Sequence, residues 1–243
     1  MRAMVLAAGL GTRLRPLTDD RPKALVEIDG RSLLEITLAR LRSFGISEVI
    51  VNAHHHAEQI VDYLRARQNF GMRIEISRED VLLDTGGGLK QAAHFLEQGN
   101  DEPFVVHNVD VLSSIDLRLM VERHRERQAL ATLAVQHRET SRSLLFDDEL
   151  RLVGRHTRGA QPEMFRAAGR TQAAAFCGIH VISPRIFPLM EEEGVFPIVP
   201  VYLRLSGEGV FGFPADEYYW RDLGTRESLE QASHDLRTNL VSA

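Results

Sequence analysis

The sequence predicts an α/β protein built on a mostly parallel, mixed sheet flanked by helices. Three observations support this. Short apolar runs alternate with amphipathic helical segments through the first half of the chain. Most of these runs end at glycine or at a lone polar residue instead of a tight hairpin turn. Hydrophobic residues make up 44% of the 243, enough for a core on both faces of a sheet. Alternation at this spacing requires crossover connections, which are right-handed and lay helices over both faces.

Taken in order, Ala3–Ala8 is an apolar run ended by Gly9, as expected of a buried parallel strand. Ser32 is placed to cap a helix whose apolar face is Leu33, Leu34, Ile36, Leu38, Leu41 and Phe44, with Gly45 as its stop. Glu48–Asn52 reads as a second strand, Ala57–Ala66 as a second helix and Arg73–Ser77 as a third strand. After the glycines at 86–88 a helix is expected over Leu89–Leu96, then a central strand over Phe104–His107 that stops at the polar Asn108 and Asp110. The second half is less regular. Strands are expected at Ala129–Gln136 and Ala173–Ile182, and a hairpin over Ser143–Val153 turning at Asp147–Asp148. His156–Thr171, rich in arginine and glycine, is expected to be a mobile loop. Short helices near Ile186–Met190 and Pro200–Ser206, short strands at Val210–Phe213 and Tyr218–Arg221, and a helix over Thr225–Leu236 complete the chain. No repeat or linker divides it, so one domain over 1–243 is expected.

Several function classes are disfavoured. The net charge is −5, whereas a nucleic-acid binder usually carries a basic excess. Cys177 is the only cysteine, which rules out an intrachain disulfide and a cysteine-rich metal site. The N-terminus lacks the pattern of a signal peptide, and no apolar run approaches the roughly 20 residues a membrane span needs. A soluble, cytoplasmic protein without nucleic-acid or membrane partners is expected.

The chemistry is signalled by Gly9-Leu10-Gly11-Thr12-Arg13, followed closely by Arg15, Arg21 and Lys23. Ligands of open parallel sheets sit beyond the carboxyl ends of the strands, where this turn lies. Glycine lets backbone amides approach a phosphate, and arginine and lysine add charge. A dinucleotide fingerprint needs a third glycine where Leu14 stands, and the Walker pattern is absent. An ordinary strand-to-loop turn is the bland alternative, and the RPKALVEI stretch downstream argues against it. Adjacent His54, His55 and His56 cannot converge on one metal ion from a helix, where ligands sit three or four residues apart. A solvated loop suits them better.

The stretch LAAGLGTRLRPLTDDRPKALVEI resembles the signature of the sugar-1-phosphate nucleotidyltransferases. The likeness continues through LLDTGGG at 82–88, HNVD at 107–110, FCGIH at 176–180 and WRDLGT at 220–225. VNAHHHAEQIVDYL is similar to a segment of the MurNAc-phosphate uridylyltransferase and mannose- or heptose-phosphate guanylyltransferase branches. There, His54 is a structural or nucleotide-side residue. The resemblance implies a Rossmann-like, nucleotide-diphospho-sugar transferase fold and a reaction joining a nucleoside triphosphate to a sugar 1-phosphate with release of pyrophosphate. It implies a nucleotide-binding half over 1–112, a sugar-phosphate half over 113–224 and a C-terminal helix over 225–243. Arg13 and Lys23 are then expected on the phosphates, and Asp110 and Asp222 on Mg²⁺. The nucleotide is expected against Ala7, Ala8, Gly9, Gly11, Thr12, Gly87 and Asn108, and the sugar above Gly178. In-line attack by a phosphate oxygen needs positioning and charge neutralisation rather than a general base.

Three departures from the family pattern stand out. Val109 replaces a small residue and is expected to narrow the nucleotide side; Asp84 precedes TGGG; and the chain ends without the added β-helix domain of longer relatives, which makes bifunctionality unexpected. The base is expected to be uracil, with a MurNAc-type amino-sugar 1-phosphate as acceptor. Guanylyl or cytidylyl transfer and a non-catalytic nucleotide-binding regulator remain as alternatives. Intact Arg13, Lys23, Asp110 and Asp222 speak against the last. A monomer or homodimer is expected.

Overall fold

The computed structural model describes residues 1–98, 101–238 and 240. Its first half runs β1 (Arg2–Leu6), β2 (Glu27–Ile28), β3 (Arg31–Ser32), α1 (Leu33–Ser43), β4 (Glu48–Ala53), α2 (Ala57–Ala66), β5 (Arg73–Arg78), α3 (Asp84–Gln91), α4 (Ala93–Leu96), β6 (Phe104–Asn108) and β7 (Val111–Ser113). The second half runs α5 (Leu117–Glu126), β8 (Ala131–Gln136), β9 (Arg142–Phe146), β10 (Leu152–Thr157), β11 (Glu163–Met164), β12 (Gln172–Ile182), α6 (Ile198–Arg204), β13 (Val210–Pro214), β14 (Trp220–Asp222) and α7 (Arg226–Arg237).

Among the described residues, ten strands form one sheet in the order β11-β10-β9-β12-β6-β1-β4-β5, with β8 beside β12 and β13 beside β8. The expected parallel character holds in the first half, where β6, β1, β4 and β5 all run one way. β12 joins antiparallel to β6, β8 and β9, so the second half is largely antiparallel. Alternate residues of β1 are buried on opposite faces. Ala3 and Val5 pack with α1, α2, α5 and α7, while Met4 packs with α3, α4 and α6. This double burial is why β1 reads as a continuous apolar run.

The termini of the elements have local causes. Ser32 accepts the Glu35 amide at 3.0 Å and so caps α1, and Gly45 after it takes φ +80°. β1 stops two residues before the expected Ala8, because the Ala7 amide turns to the Asn52 side chain. The glycines at 86–88 do not precede a helix but lie within α3. A Cβ on Gly86 would collide with Phe196, and one on Gly87 with the Gly194 carbonyl. Close packing against that segment, and not helix breaking, is what the triplet provides. α5 was not anticipated, although Leu117, Met120, Val121 and His124 form its buried stripe and Asp116 caps it. The segment expected as a loop at 156–171 contains β11, paired to β10. Of the expected C-terminal helix, residues 239 and 241–243 lie outside the described residues.

Three histidines are buried and held neutral. Loss of solvation pushes His107 and His124 down to about 4 and His180 down to about 3. The unfolded chain protonates each near the ordinary value of about 6.5, and the folded chain does not. Their stabilisation is therefore complete above that value and is lost as pH falls toward the folded values. His94, drawn upward by Glu75, acts in the opposite sense, but it is largely exposed. The melting temperature is expected to fall between about pH 6.5 and pH 5, above the range where most carboxylates titrate. Calorimetry across that interval checks this, and a flat or rising profile contradicts it.

Candidate active site

The parallel strands end level with one another. Leu6 pairs with Asn52 of β4 on one side and with Asn108 of β6 on the other. Chain direction diverges here, since the sheet grows one way through β4 and the other through β6, and such a switch point leaves a crevice. A cleft of about 380 Å³ opens there, bordered by Ala8, Gly9, Asn52, Glu79, Asn108 and Asp110, among others.

The glycine turn forms its rim. Gly11 is left-handed at φ +62°, and its carbonyl accepts both the Leu14 amide and the Thr18 hydroxyl. A Cβ on Gly11 would stand 2.9 Å from Thr18 Cγ2 and 3.0 Å from Lys23 Cβ, so glycine is required by both conformation and space. Gly9, Thr12 and Arg13 are exposed, and among the described residues the amides of Gly9 through Thr12 donate to no backbone carbonyl. They remain available to a ligand at the rim.

Behind the rim stand two ion pairs. Lys23 Nζ pairs with Asp110 Oδ2 across 87 residues of sequence, with side-chain exposures of only 10% and 17%. Arg13 Nη2 lies 3.7 Å from Asp222 Oδ1, and both side chains are more open, at 64% and 42%. The carboxylates come from neighbouring backbone: Asp222 pairs with Val111 in the β14–β7 ladder, and the Leu223 amide donates to the Asp110 carbonyl at 2.8 Å. The ladder thus brings together the two aspartates singled out in the sequence. The exposed Arg13–Asp222 pair is screened by water and contributes little to stability. Its interest is chemical.

A turn with free amides, two cations and two neighbouring carboxylates matches a site for transferring a phosphate-linked group. The family model described as Nucleotidyl transferase matches residues 2–144, more than half of the chain. The chain belongs to the nucleotidyl transferase family. The N-acetylmuramate alpha-1-phosphate uridylyltransferase of Caulobacter vibrioides is 36% identical over 232 residues, 91% of each chain. The enzyme of the same name from Neisseria meningitidis serogroup B is 32% identical over 246 residues, 96% of each chain. A putative glucose-1-phosphate thymidylyltransferase from Bacillus anthracis superposes with a TM-score of 0.82 at 19% identity, covering 100% of this chain and 98% of that one. HddC from Yersinia pseudotuberculosis superposes at 0.77 with 21% identity, covering 97% and 99%. The structures attest the fold, and the sequence relatives make the protein a sugar-1-phosphate nucleotidyltransferase. The family is generally dependent on divalent metals.

The remaining expected residues of this nucleotidyltransferase do not all reach the cleft. Ala7 and Ala8 are buried at the end of β1, and Ala8 and Asn108 border the cleft. Gly87 does not border it: its amide is bonded to the Phe196 carbonyl at 3.1 Å and its Cα is packed against Gly194. Gly178 is buried, and a Cβ there would fall 2.7 Å from Asn108 Nδ2, so it packs beneath Asn108. Val109, expected to narrow the nucleotide side, instead faces the core with 3% exposure, because it leaves β6 on the inward face. His54 Nδ1 donates to the Glu79 carbonyl, 2.8 Å away, and His55 and His56 lie in the connection to α2, where His56 takes φ +57°. Among the described residues no group of three or more His, Cys, Asp or Glu is placed to hold a metal ion.

Two residues that sequence reasoning did not single out tie the site together. Asn52 Oδ1 accepts the Ala7 amide at 2.6 Å, and its Nδ2 donates to Glu79 Oε1 at 2.7 Å. Glu79 Oε2 accepts the Leu83 amide at 2.9 Å. A buried chain of hydrogen bonds therefore runs from the end of β1 to the start of α3. Gly88 lies against it, where a Cβ would stand 2.7 Å from Glu79 Oε1. The one available signal was a polar residue closing an apolar strand, as Asn108 does; nothing local marks Glu79. Replacing Asn52 by leucine strands the Ala7 amide and Glu79 Oε1 without partners. Each unmet buried group costs about 1–3 kcal/mol, so urea unfolding is expected to register a loss of about 2–5 kcal/mol; a change under about 1 kcal/mol contradicts the network.

Proposed function

We propose that the enzyme transfers a uridylyl group from UTP to an amino-sugar 1-phosphate of the N-acetylmuramate type. The observation that carries this reading is the pair of aspartates with adjoining backbone, Asp110 facing Lys23 at the border of the cleft and Asp222 facing Arg13 of the glycine turn. A phosphate oxygen of the sugar 1-phosphate attacks the α-phosphorus of UTP. The bond to the β-phosphate breaks, and pyrophosphate carries away the electron pair. The attacking oxygen is already anionic, so the protein supplies geometry and charge.

Arg13 and the amides of Gly9–Thr12 would hold the outer phosphates. Lys23 would turn from Asp110 to the α-phosphate and stabilise the charge that builds on it. Asp110 and Asp222 fit Mg²⁺, a hard cation satisfied by one or two carboxylates with phosphates and water filling its remaining positions. Bound there, Mg²⁺ would neutralise charge on the triphosphate. Residues 1–112 would carry the nucleotide and 113–224 the sugar phosphate, with Asn108 at their junction above Gly178.

Glu79 supports a choice of base. Its carboxylate borders the cleft and can only accept hydrogen bonds. Uracil and guanine each offer a ring N–H, whereas cytosine and adenine place an acceptor ring nitrogen beside their amino group. Guanylyl transfer is thus the second reading, because guanine meets the same wall. The Caulobacter and Neisseria relatives, which match over more than nine-tenths of both chains, are named as uridylyltransferases, whereas the mannose-1-phosphate guanylyltransferases that match this chain do so over less than two-thirds of their own length, which favours UTP.

A pyrophosphate-release assay crossing four nucleoside triphosphates with several sugar 1-phosphates tests the substrate assignment. Highest kcat/KM is expected with UTP and an amino-sugar 1-phosphate. CTP or ATP as the preferred donor would contradict the role of Glu79. Asp110→Asn and Asp222→Asn each remove a charge and little volume, and each is expected to lower kcat by at least about 10²- to 10³-fold. Lys23→Ala is expected to lower kcat far more than it lowers melting temperature. Normal pyrophosphate release by either asparagine variant refutes the metal assignment.

A further inference from the structure

At an irregularity in β12 two successive carbonyl groups are held by side chains, one from near Asp222 and one from just past the end of β8. Between Phe176 and His180 β12 advances four residues while β8 advances two, from Val135 to Leu133. Gly178 sits at the centre with φ +71°. Bulges of this kind displace backbone groups from pairing and re-aim the neighbouring side chains. Trp220 Nε1 donates to the Cys177 carbonyl at 2.7 Å, and Arg138 Nη2 donates to the Phe176 carbonyl at 3.0 Å. The two side chains also meet, with the Arg138 guanidinium carbon 3.9 Å from the Trp220 ring centre. That is the shortest arginine-to-ring separation among the described residues. Two residues before Arg138, Gln136 Nε2 bonds the carbonyls of Ala215 and Tyr218 at 2.7 and 2.9 Å. The end of β8 therefore grips the approach to β14 at several points.

We propose that Arg138 and Trp220 form a positioning pair that fixes Asp222. The proposal rests on the reading of Asp222 as a metal-holding carboxylate. Trp220 and Asp222 are alternate residues of a three-residue strand, so their side chains leave the same face. Among the described residues that strand has one ladder partner, β7. So short a strand has little of its own to fix it, and the anchored indole sets where the carboxylate two residues on is held. The same bulge packs Gly178 against Asn108 at the end of β6, which leads directly into Asp110. Both carboxylates are thereby referenced to one feature of β12. Groups that orient metal ligands without touching the metal typically change affinity or activity by about 10- to 100-fold when removed.

The test uses Mn²⁺ as probe, with the nucleoside triphosphate that supports turnover, and reads metal binding by electron paramagnetic resonance beside kcat, KM and melting temperature. Trp220→Phe keeps a ring for Arg138 but loses the N–H, while Arg138→Met keeps length but loses charge and donor. Each is expected to raise the Mn²⁺ dissociation constant about 10-fold or more, with a matching fall in kcat and KM for the nucleotide within about twofold. Arg138→Lys, which can still stack and donate, should recover most of the loss. The double variant should be little worse than the poorer single one, because the pair acts as a unit. Arg127→Met is the control: Arg127 stacks on Phe211 at 4.8 Å and bonds the Glu149 carbonyl away from the cleft, and its loss should leave Mn²⁺ binding unchanged. If Asp222→Asn loses the metal while Trp220→Phe and Arg138→Met bind it as the wild type does, the positioning role is overturned and the metal assignment stands. If Asp222→Asn itself binds Mn²⁺ and turns over normally, both fall.

Discussion

The Lys23–Asp110 ion pair is the constraint on which the site depends. Its members are 87 residues apart and both largely withdrawn from water. Charges in that position are costly to leave unpartnered, so the loop after β1 must fold back over the end of β6. The backbone is prepared for this: Gly11 turns left-handed, Thr18 holds its carbonyl, and Pro22 restricts the approach to Lys23. The pair is near the surface, not sealed. A ligand bringing a phosphate and a cation can take each partner in turn, replacing one ion pair by two.

Beneath that pair, the buried line Ala7–Asn52–Glu79–Leu83 does for the backbone what the ion pair does for the charges. β1 must end where its next amide can find a partner, and Asn52 supplies one from the neighbouring strand at the same level. Glu79 then ties the end of β5 to the first turn of α3. Elements that border the cleft are thus tied to one another by hydrogen bonds. The glycines of α3 are a consequence. At Gly88 a side chain would displace the network, and at Gly86 and Gly87 it would displace the Phe196 segment.

Most of the parallel half was legible because its strands are buried on both faces and α1 carries a strong cap. Ser32 and Gly45 stand out for that reason, and α2 keeps its expected limits although no side chain caps it. The second half was harder: antiparallel pairing with β12 depends on partners far apart in sequence, which no local pattern records. α5 was missed although its apolar spacing was present, and the glycine triplet was misjudged because its neighbours at 194–196 lie more than a hundred residues away. The same distance explains the site. Arg13, Lys23, Asp110 and Asp222 stand out through motifs, and the ladder brings them together. Glu79 and Arg138 act only through contacts, so nothing in the sequence near them announces their positions, and Asn52 is signalled only as a polar residue closing an apolar strand.

Strand geometry explains why the second carboxylate must come from so far along the chain. Successive side chains on a strand point to opposite faces, so two aspartates side by side in sequence could not both face one cation. Asp110 lies in the turn just before β7, outside the ladder, so the alternation along that strand does not fix its direction. The β14–β7 pairing sets Asp222 beside Val111, the residue next to Asp110, and the Leu223 amide locks that register. The cost is a short strand from the far end of the chain that must be held in place without a broad sheet around it. The bulge in β12 answers that need. It exposes carbonyls for Trp220 and Arg138 to grasp, and it places Gly178 where Asn108 can lie against it. Without those two contacts the strand bearing Asp222 would rest on β7 and on the Arg221–Asp235 pair with α7.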